Sequence, residues 1–289
     1  MASGAKVRAG VVGTGHMGQY HVLVYAELPD VELVGVVDAD LARAAAVAAQ
    51  YDTRVFPDHR ALVGRVDVAS VAVPTGRHFE VARDLLEAGI SVLVEKPMTS
   101  TLDEARALFA VAERTGAVLH VGHVERFNGA VDELRQIVRA PILIESRRLG
   151  PFASRVQRDT VVMDLMIHDI DIVLGLVDSP PVRLAAQGAA VHSSVTDVAS
   201  VRTFSSVARL AVIVAIVPDS KRIWTLATSV SDVCTAVPCA ASRTGGESTS
   251  PSTMSMSWII RSITTVSFCT RGAKGPRRRD SIRIGARTI

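Results

Sequence analysis

The chain has 289 residues, long enough for two domains of ordinary size. Hydrophobic residues make up 48% of it but aromatics only 4%, so the apolar content is Ala, Val, Leu and Ile, which suits parallel α/β structure with strands buried on both faces. The net charge of +3 belongs to the tail: residues 271–289 hold seven Lys/Arg against one Asp, a net of +6, so the remaining 270 residues sum to −3 and lack the basic balance of a nucleic-acid binder.

Lys6–Gly13 reads as a strand ending in glycine, followed by a helix over His16–Leu28, a strand over Val31–Val37 closed by Asp38, and an Ala-rich helix over Leu41–Gln50. Thr53–Phe56 is a short strand, Pro57–Gly64 a helical turn, Asp67–Val73 a strand ended by Pro74-Thr75, and Arg77–Ala88 a helix stopped by Gly89. Ile90–Glu95 is the fifth strand. Thr101 and Glu104 form a capping-box pattern opening a helix to Thr115, stopped by Gly116, and Ala117–Gly122 is the sixth strand. Strict alternation of strands and helices implies right-handed crossovers and a doubly wound parallel sheet, a Rossmann domain over 1–122.

After Gly122 the rhythm changes. Asn128–Arg139 reads as a helix, Ile142–Leu149 as a strand and Val161–Val177 as a helix. Val182–Val191, Val198–Phe204 and Arg209–Val217 then follow as strands without intervening helices. This order predicts a second, α+β domain over 123–218 with a largely antiparallel open sheet, expected to be incomplete because of the tail. Residues 219–289 are atypical. Ser and Thr supply twenty of the fifty-two residues in 219–270, both tryptophans (Trp224, Trp258) and all three cysteines (Cys234, Cys239, Cys269) lie beyond 218, and only four of the 29 acidic residues do. No helical period or strand alternation is expected past about Thr228. Two explanations stand: a loop-rich, partly disordered end, or a stretch translated out of its original frame, which retranslation of the coding DNA tests. The cysteines show neither metal-ligand spacing nor a disulfide framework. The tail has one Arg cluster, at Arg277–Arg279, without interleaved aromatics. No signal-peptide layout opens the chain, and Val207–Val217 is too short to span a bilayer, so a soluble cytoplasmic protein with no membrane partner is expected.

Gly13-Thr14-Gly15-His16-Met17-Gly18 lies between a predicted strand and a predicted helix, the setting that the dinucleotide fingerprint requires. The first two glycines permit a tight turn and close approach to a pyrophosphate, the third close packing of the helix, and helix-start N–H groups face the phosphates. Asp38, twenty residues after Gly18, can accept from ribose hydroxyls and repel a 2′-phosphate, favouring NAD over NADP. Glu95-Lys96-Pro97 follows the fifth strand at its carboxyl end, where a Lys can stabilise charge developing on a reacting oxygen; a solvated Lys is the alternative. Asp164 and His168 share one helix face at i, i+4 in an apolar setting. That imidazole suits a general base; a metal pair, for which no further ligand set is evident, and a satisfied core histidine are the other readings.

The combined motifs VVGTGHMG, VVDAD, VAVPTGRH, EKPM, VGHVERFN and DLMIHDID resemble the glucose–fructose oxidoreductase / inositol dehydrogenase (Gfo/Idh/MocA) family over roughly residues 5–218. The resemblance implies a Rossmann domain, a second α/β domain with an open sheet often used for homo-oligomerisation, and oxidation or reduction of a sugar or cyclitol carbon with NAD(P). By motif, Lys96 is the catalytic lysine, His168 the acid/base and Asp164 its companion, with Thr75, His78 and Glu95 beside the cofactor. Within the family, GHVERFN and RLGPF…DLMIHDID are most similar to UDP-N-acetylglucosamine 3-dehydrogenases, which makes a nucleotide-sugar C3 hydroxyl the expected substrate and Arg126 and Asn128 cleft candidates. A surface salt bridge is the alternative for Arg126. The chain departs from the family at Thr160-Val161-Val162, where a glycine often precedes the catalytic helix, at Gly129, where proline is common, and in its tail. The tail keeps open a second functional reading, a dinucleotide-binding protein without turnover.

Overall fold

The computed structural model describes residues 5–139, 141–149, 160–177, 179–191, 194–205, 210–216, 263–270 and 279–285. The chain divides into two units, Met1–Val124 and Glu125–Ile289.

In the first unit the elements run β1 (Val7–Val12), α1 (His16–Glu27), β2 (Val31–Val37), α2 (Leu41–Gln50), β3 (Arg54–Phe56), β4 (Val68–Val71), α3 (His78–Glu87), β5 (Ser91–Glu95), α4 (Leu102–Thr115) and β6 (Leu119–Gly122). All six strands pair in parallel in the order β3-β2-β1-β4-β5-β6, the doubly wound arrangement expected from the alternation. Successive strand residues face opposite sides. Val11 and Val36 pack with Val22 of α1 and Ala44, Val47 and Ala48 of α2. Val12, Val37 and Val71 pack with Val81, Leu85 and Leu86 of α3 and Leu108 of α4. Both faces are therefore covered, which is why the strands read as unbroken aliphatic runs. The order reverses between β1 and β4, and ligands of open α/β sheets bind at the carboxyl ends of the strands beside such a switch point.

The helix ends follow the expected chemistry. Thr101 Oγ1 accepts from the Glu104 N–H at 3.2 Å and the Glu104 carboxylate accepts from the Thr101 N–H at 3.0 Å, closing the capping box. Gly116 ends α4 at φ 73°.

In the second unit α5 (Gly129–Ile137) precedes β7 (Pro141–Leu149). The helix expected over Val161–Val177 consists of a wide π turn, Val162–Met166, continuing into α6 (Ile167–Val177). The remaining strands are β8 (Pro181–Ala189), β9 (Val198–Ser205), β10 (Leu210–Ile216), β11 (Ile263–Thr270) and β12 (Arg279–Gly285). They form one open sheet in the order β12-β11-β7-β10-β9-β8, in which β7–β10 pair in parallel and the other neighbours antiparallel. Val131 and Leu134 of α5 and Ile172, Val173 and Val177 of α6 pack with Ile144, Ala199 and Val201 of the sheet.

The tail is where the structure differs from the sequence reading. The segment expected to hold no strands supplies β11 and β12, and β11 runs antiparallel to β7 with Val266 opposite Ser146 and Phe268 opposite Ile144. The sheet thus has six strands and β7 is not an edge. Pairing to an existing strand uses backbone N–H and C=O groups, which every residue but proline supplies in full, so a Ser/Thr-rich strand forms without an apolar alternation to announce it. Trp224, Trp258, Cys234, Cys239, the arginines at 277 and 278 and the Gly150-Pro151-Phe152 part of the RLGPF motif lie outside the described residues. Among the described residues no helix is long and apolar enough to cross a membrane.

Removing the α4 cap by Thr101→Ala is expected to cost about 1 kcal/mol, seen as a lower urea midpoint with an unchanged denaturant slope.

Candidate functional site

The glycine loop is built by close approaches. Gly13 sits at φ 94°, a conformation open to glycine, and a Cβ there would stand 2.5 Å from the Ala72 carbonyl oxygen beyond β4. A Cβ on Gly18 would lie 1.8 Å from the Gly13 carbonyl oxygen, so α1 seats directly on the loop. Gly15 is different. It is the N-cap of α1, no side chain caps the helix there, and a Cβ on it would meet nothing within 4 Å. Among the described residues nothing therefore requires glycine at 15, and the uncapped helix start is left open there. Helix-start N–H groups have no intrahelical acceptor and favour anions, so Gly15, His16 and Met17 fit a pyrophosphate. Thr14, placed in the cofactor loop from sequence, turns to Asp38: its N–H and its hydroxyl donate to Asp38 Oδ2 at 2.7 and 2.8 Å. Gln19 Nε2 steadies the loop through the Thr14 carbonyl at 3.1 Å.

Asp38 is a joint. Besides Thr14, its carboxylate accepts from the Asp40 N–H at 2.8 Å and from Arg43 Nε and Nη2 at 3.1 and 2.7 Å. Burial pushes its carboxyl up, but the Arg43 guanidinium, the Asp40 N–H and the two Thr14 donors outweigh burial and hold it well below the usual carboxylate range. These five donors occupy the oxygens assigned to ribose hydroxyls from sequence. A hydroxyl arriving from solvent competes with Arg43, whose side chain is 43% exposed while that of Asp38 is 5% exposed.

At the end of β5 the peptide bond Lys96-Pro97 is cis. Glu95 is buried, and its Oε2 accepts from the Lys96 N–H at 3.3 Å. His78, 1% exposed, bridges two carbonyl oxygens, Pro97 at 2.8 Å and Val73 at 2.8 Å. His78 thus ties the end of β4 to the segment after β5, a fastening between strand ends. Thr75, itself half-buried, opens the otherwise exposed 3₁₀ turn Thr75–Arg77 before α3. The glycine loop, the β4 exit and Lys96 all lie at the carboxyl edge of one sheet.

In the second unit Asp164 belongs to the π turn and His168 is the second residue of α6. Single π turns within helices recur at functional sites because they re-aim the side chains they carry. Two carboxylates pin α6 beside His168. Asp169 is fully buried and accepts from Arg148 Nε at 2.6 Å and Ser146 Oγ at 2.9 Å, both on β7. Asp171 pairs with Arg126 through both Nε, at 3.0 Å, and Nη2. Arg126, expected in a substrate cleft, thereby has two donors committed to a structural ion pair. Asn128 caps α5, its Oδ1 accepting from the Ala130 N–H at 3.1 Å. Among the described residues no group of three or more His, Cys, Asp or Glu is placed to hold a metal.

Residues not singled out from sequence are Gln19, Arg43, His21, Ser70, Arg148 and Asp169. His21 had a readable signal: with Tyr25 it makes an i, i+4 polar pair on a helix whose face meets the sheet. Arg148 had none, because its partner lies 21 residues away.

Two glycine substitutions separate ligand contact from fold. Gly15→Ala is expected to keep the melting temperature within a few degrees and to weaken NAD binding about tenfold or more in calorimetry. Gly18→Ala is expected to destabilise the first unit itself. Arg148→Met leaves the Asp169 carboxylate buried without its cation and should cost about 3–5 kcal/mol by urea unfolding.

Comparison with known proteins agrees with the glycine loop. Residues 7–123 match the GFO_IDH_MocA family, described as an oxidoreductase family with an NAD-binding Rossmann fold. UDP-N-acetylglucosamine 3-dehydrogenase of Acidithiobacillus ferrooxidans is 42% identical over 195 residues, 67% of this chain and 62% of the relative. Inositol 2-dehydrogenase 3 of Saccharopolyspora erythraea is 30% identical over 184 residues, 60% of this chain and 54% of the relative. The chain thus spans less than two thirds of the length of these curated relatives. A crystal structure of the Acidithiobacillus ferrooxidans enzyme superposes with a TM-score of 0.70 at 39% identity, covering 74% of this chain and 71% of that one. Fold, glycine loop and relatives agree, and the chain belongs to the Gfo/Idh/MocA family of NAD-binding oxidoreductases.

Proposed function

We propose that the chain is an NAD-dependent dehydrogenase acting on a sugar hydroxyl, with the C3 hydroxyl of a nucleotide sugar, UDP-N-acetylglucosamine first, as its substrate. The observation that carries the reading is the pairing, on one sheet edge, of an uncapped helix start open at Gly15 with a lysine anchored at the end of β5. The substrate class rests on the named activities of the relatives.

Gly15, His16 and Met17 hold the pyrophosphate. The ionised Asp38 disfavours a 2′-phosphate and so favours NAD over NADP. When bound, NAD supplies the hydride acceptor for the carbinol carbon. Lys96 donates to the carbinol oxygen and stabilises the charge that develops on it as the C–H bond breaks. His168 takes the hydroxyl proton, with Asp164 as its companion on the π turn, so one hydride and one proton leave the alcohol and a ketone remains.

A screen following NADH absorbance with UDP-N-acetylglucosamine, simple glucosides and myo-inositol tests the reading. Lys96→Ala is expected to abolish NAD reduction while calorimetric NAD affinity stays within about threefold, and His168→Ala to lower kcat about 10²-fold or more. Unchanged turnover in Lys96→Ala removes Lys96 from the chemistry. NAD binding with no turnover on any of the three substrate classes favours a dinucleotide-binding protein without catalysis.

A further inference from the structure

Inside the first unit a chain of side chains runs from α1 through β4 to β5. Tyr25 OH lies 2.8 Å from Ser70 Oγ, Ser70 Oγ 3.1 Å from His21 Nδ1, and His21 Nε2 2.9 Å from Glu95 Oε1. Ser70 is fully buried, and the His21 and Glu95 side chains are 11% and 7% exposed. With a neutral imidazole one direction satisfies every atom: the Glu95 carboxylate only accepts, so the ring proton sits on Nε2 and Nδ1 is left to accept from Ser70. The Ser70 hydrogen is then used, and the Tyr25 hydroxyl gives its own hydrogen to Ser70 Oγ. Burial pushes the Tyr25 phenol up against a smaller opposite effect of Ser70, so it keeps that hydrogen. Ser70 then donates to Nδ1, and the Nε2–H donates to Glu95. The other Glu95 oxygen accepts from the Lys96 N–H. The strand next door is shaped to the same end: a Cβ on Gly122 of β6 would stand 2.9 Å from Glu95 Oε1 and 3.1 Å from its Cδ.

Serine, histidine and a carboxylate in sequence are also the parts of an acyl-transfer triad. That use is closed here, because Ser70 lies in the sheet core with no surface for a substrate, and its hydroxyl already has a donor and an acceptor.

We infer that His21, Ser70 and Tyr25 are positioning residues: they fix the Glu95 carboxylate, and through it the Lys96–Pro97 segment. The inference rests on the proposed catalytic role of Lys96 for its bearing on turnover, and on the hydrogen-bond geometry alone for the rest. A buried chain whose members are all satisfied orients each next member, and losing one link loosens those beyond it. Glu95, expected beside the cofactor, gains a second role as the anchor of the residue that follows it.

The test uses the full chain without added ligand. Amide hydrogen exchange is followed for His21→Leu, which removes the link, His21→Gln, which keeps an N–H donor at the ε position, and Ser70→Ala. The Lys96 amide is expected to exchange about tenfold faster in His21→Leu, with β1, β2 and the start of α1 unchanged, and to be largely restored in His21→Gln. Nitrogen NMR is expected to find His21 in wild type with its proton on Nε2 and to lose that preference in Ser70→Ala. In an active preparation His21→Leu should lower kcat about tenfold while KM for NAD changes less than about twofold. Unchanged exchange at Lys96 in His21→Leu overturns the inference, and so does equal acceleration throughout the unit, the mark of a merely structural histidine. If His21→Leu fails to fold, His21→Gln and Ser70→Ala decide on the same criteria. Because exchange needs no substrate, absence of sugar turnover in wild type counts against the proposed function alone. Sugar turnover with unchanged exchange counts against the inference alone.

Discussion

The seating of α1 on the glycine loop is the contact from which the first unit is organised. With no side chain at Gly18, the helix backbone comes within reach of the Gly13 carbonyl oxygen, a separation that any Cβ would forbid. A helix held that close can extend His21 and Tyr25 into the sheet, where they meet Glu95 and Ser70 on β5 and β4. The same contact fixes the direction in which the uncapped helix start faces. A glycine required for packing thus bears both on where the open helix start faces and on how the segment carrying Lys96 is held.

Buried carboxylates serve as the fasteners. Asp38 and Glu95 in the first unit and Asp169 and Asp171 in the second are each removed from water and each accept from fixed donors. Burying an ionised carboxylate is costly unless its oxygens are satisfied, so the surrounding donors have little freedom to move. Three of them sit directly against residues of the proposed site, since Asp38 holds Thr14 of the loop, Glu95 precedes Lys96 and Asp169 follows His168. Groups that must be held to a fraction of an ångström are well served by such neighbours, because charge-assisted hydrogen bonds are short and directional. Arg126 and Asn128 fall into this scheme as well, the first pairing with Asp171 and the second capping α5.

The Rossmann half was legible in the sequence almost element by element. Val31–Val37 and Leu41–Gln50 have the expected bounds, and the capping box at Thr101 and Glu104 closes as its spacing implies. Local rules suffice there because helix caps, glycine turns and aliphatic runs are all written within a few residues of the feature they create. The second unit was legible up to Ile216. Its π turn was not, since a one-residue widening between Val162 and Met166 leaves the apolar pattern of a helix intact. Strands β11 and β12 were not, since their place depends on a ladder with β7 more than a hundred residues earlier in the chain.

By itself, then, the order of residues determined the parallel sheet, the dinucleotide loop, and the residue types at Lys96, Asp164 and His168, because each is a local pattern or a short motif. Only the tertiary structure decided what the side chains around them touch. It turned Asp38 from a free ribose acceptor into a joint with five donors, gave Arg126 to Asp171, and joined His21 to Glu95 across 74 residues. It also showed that Gly15, unlike Gly13 and Gly18, has no neighbour among the described residues that a Cβ would meet. The physical reason is the same in each case. Periodicity reports which face of an element is buried, whereas hydrogen bonds between distant side chains depend on how the elements meet, and no local pattern carries that information.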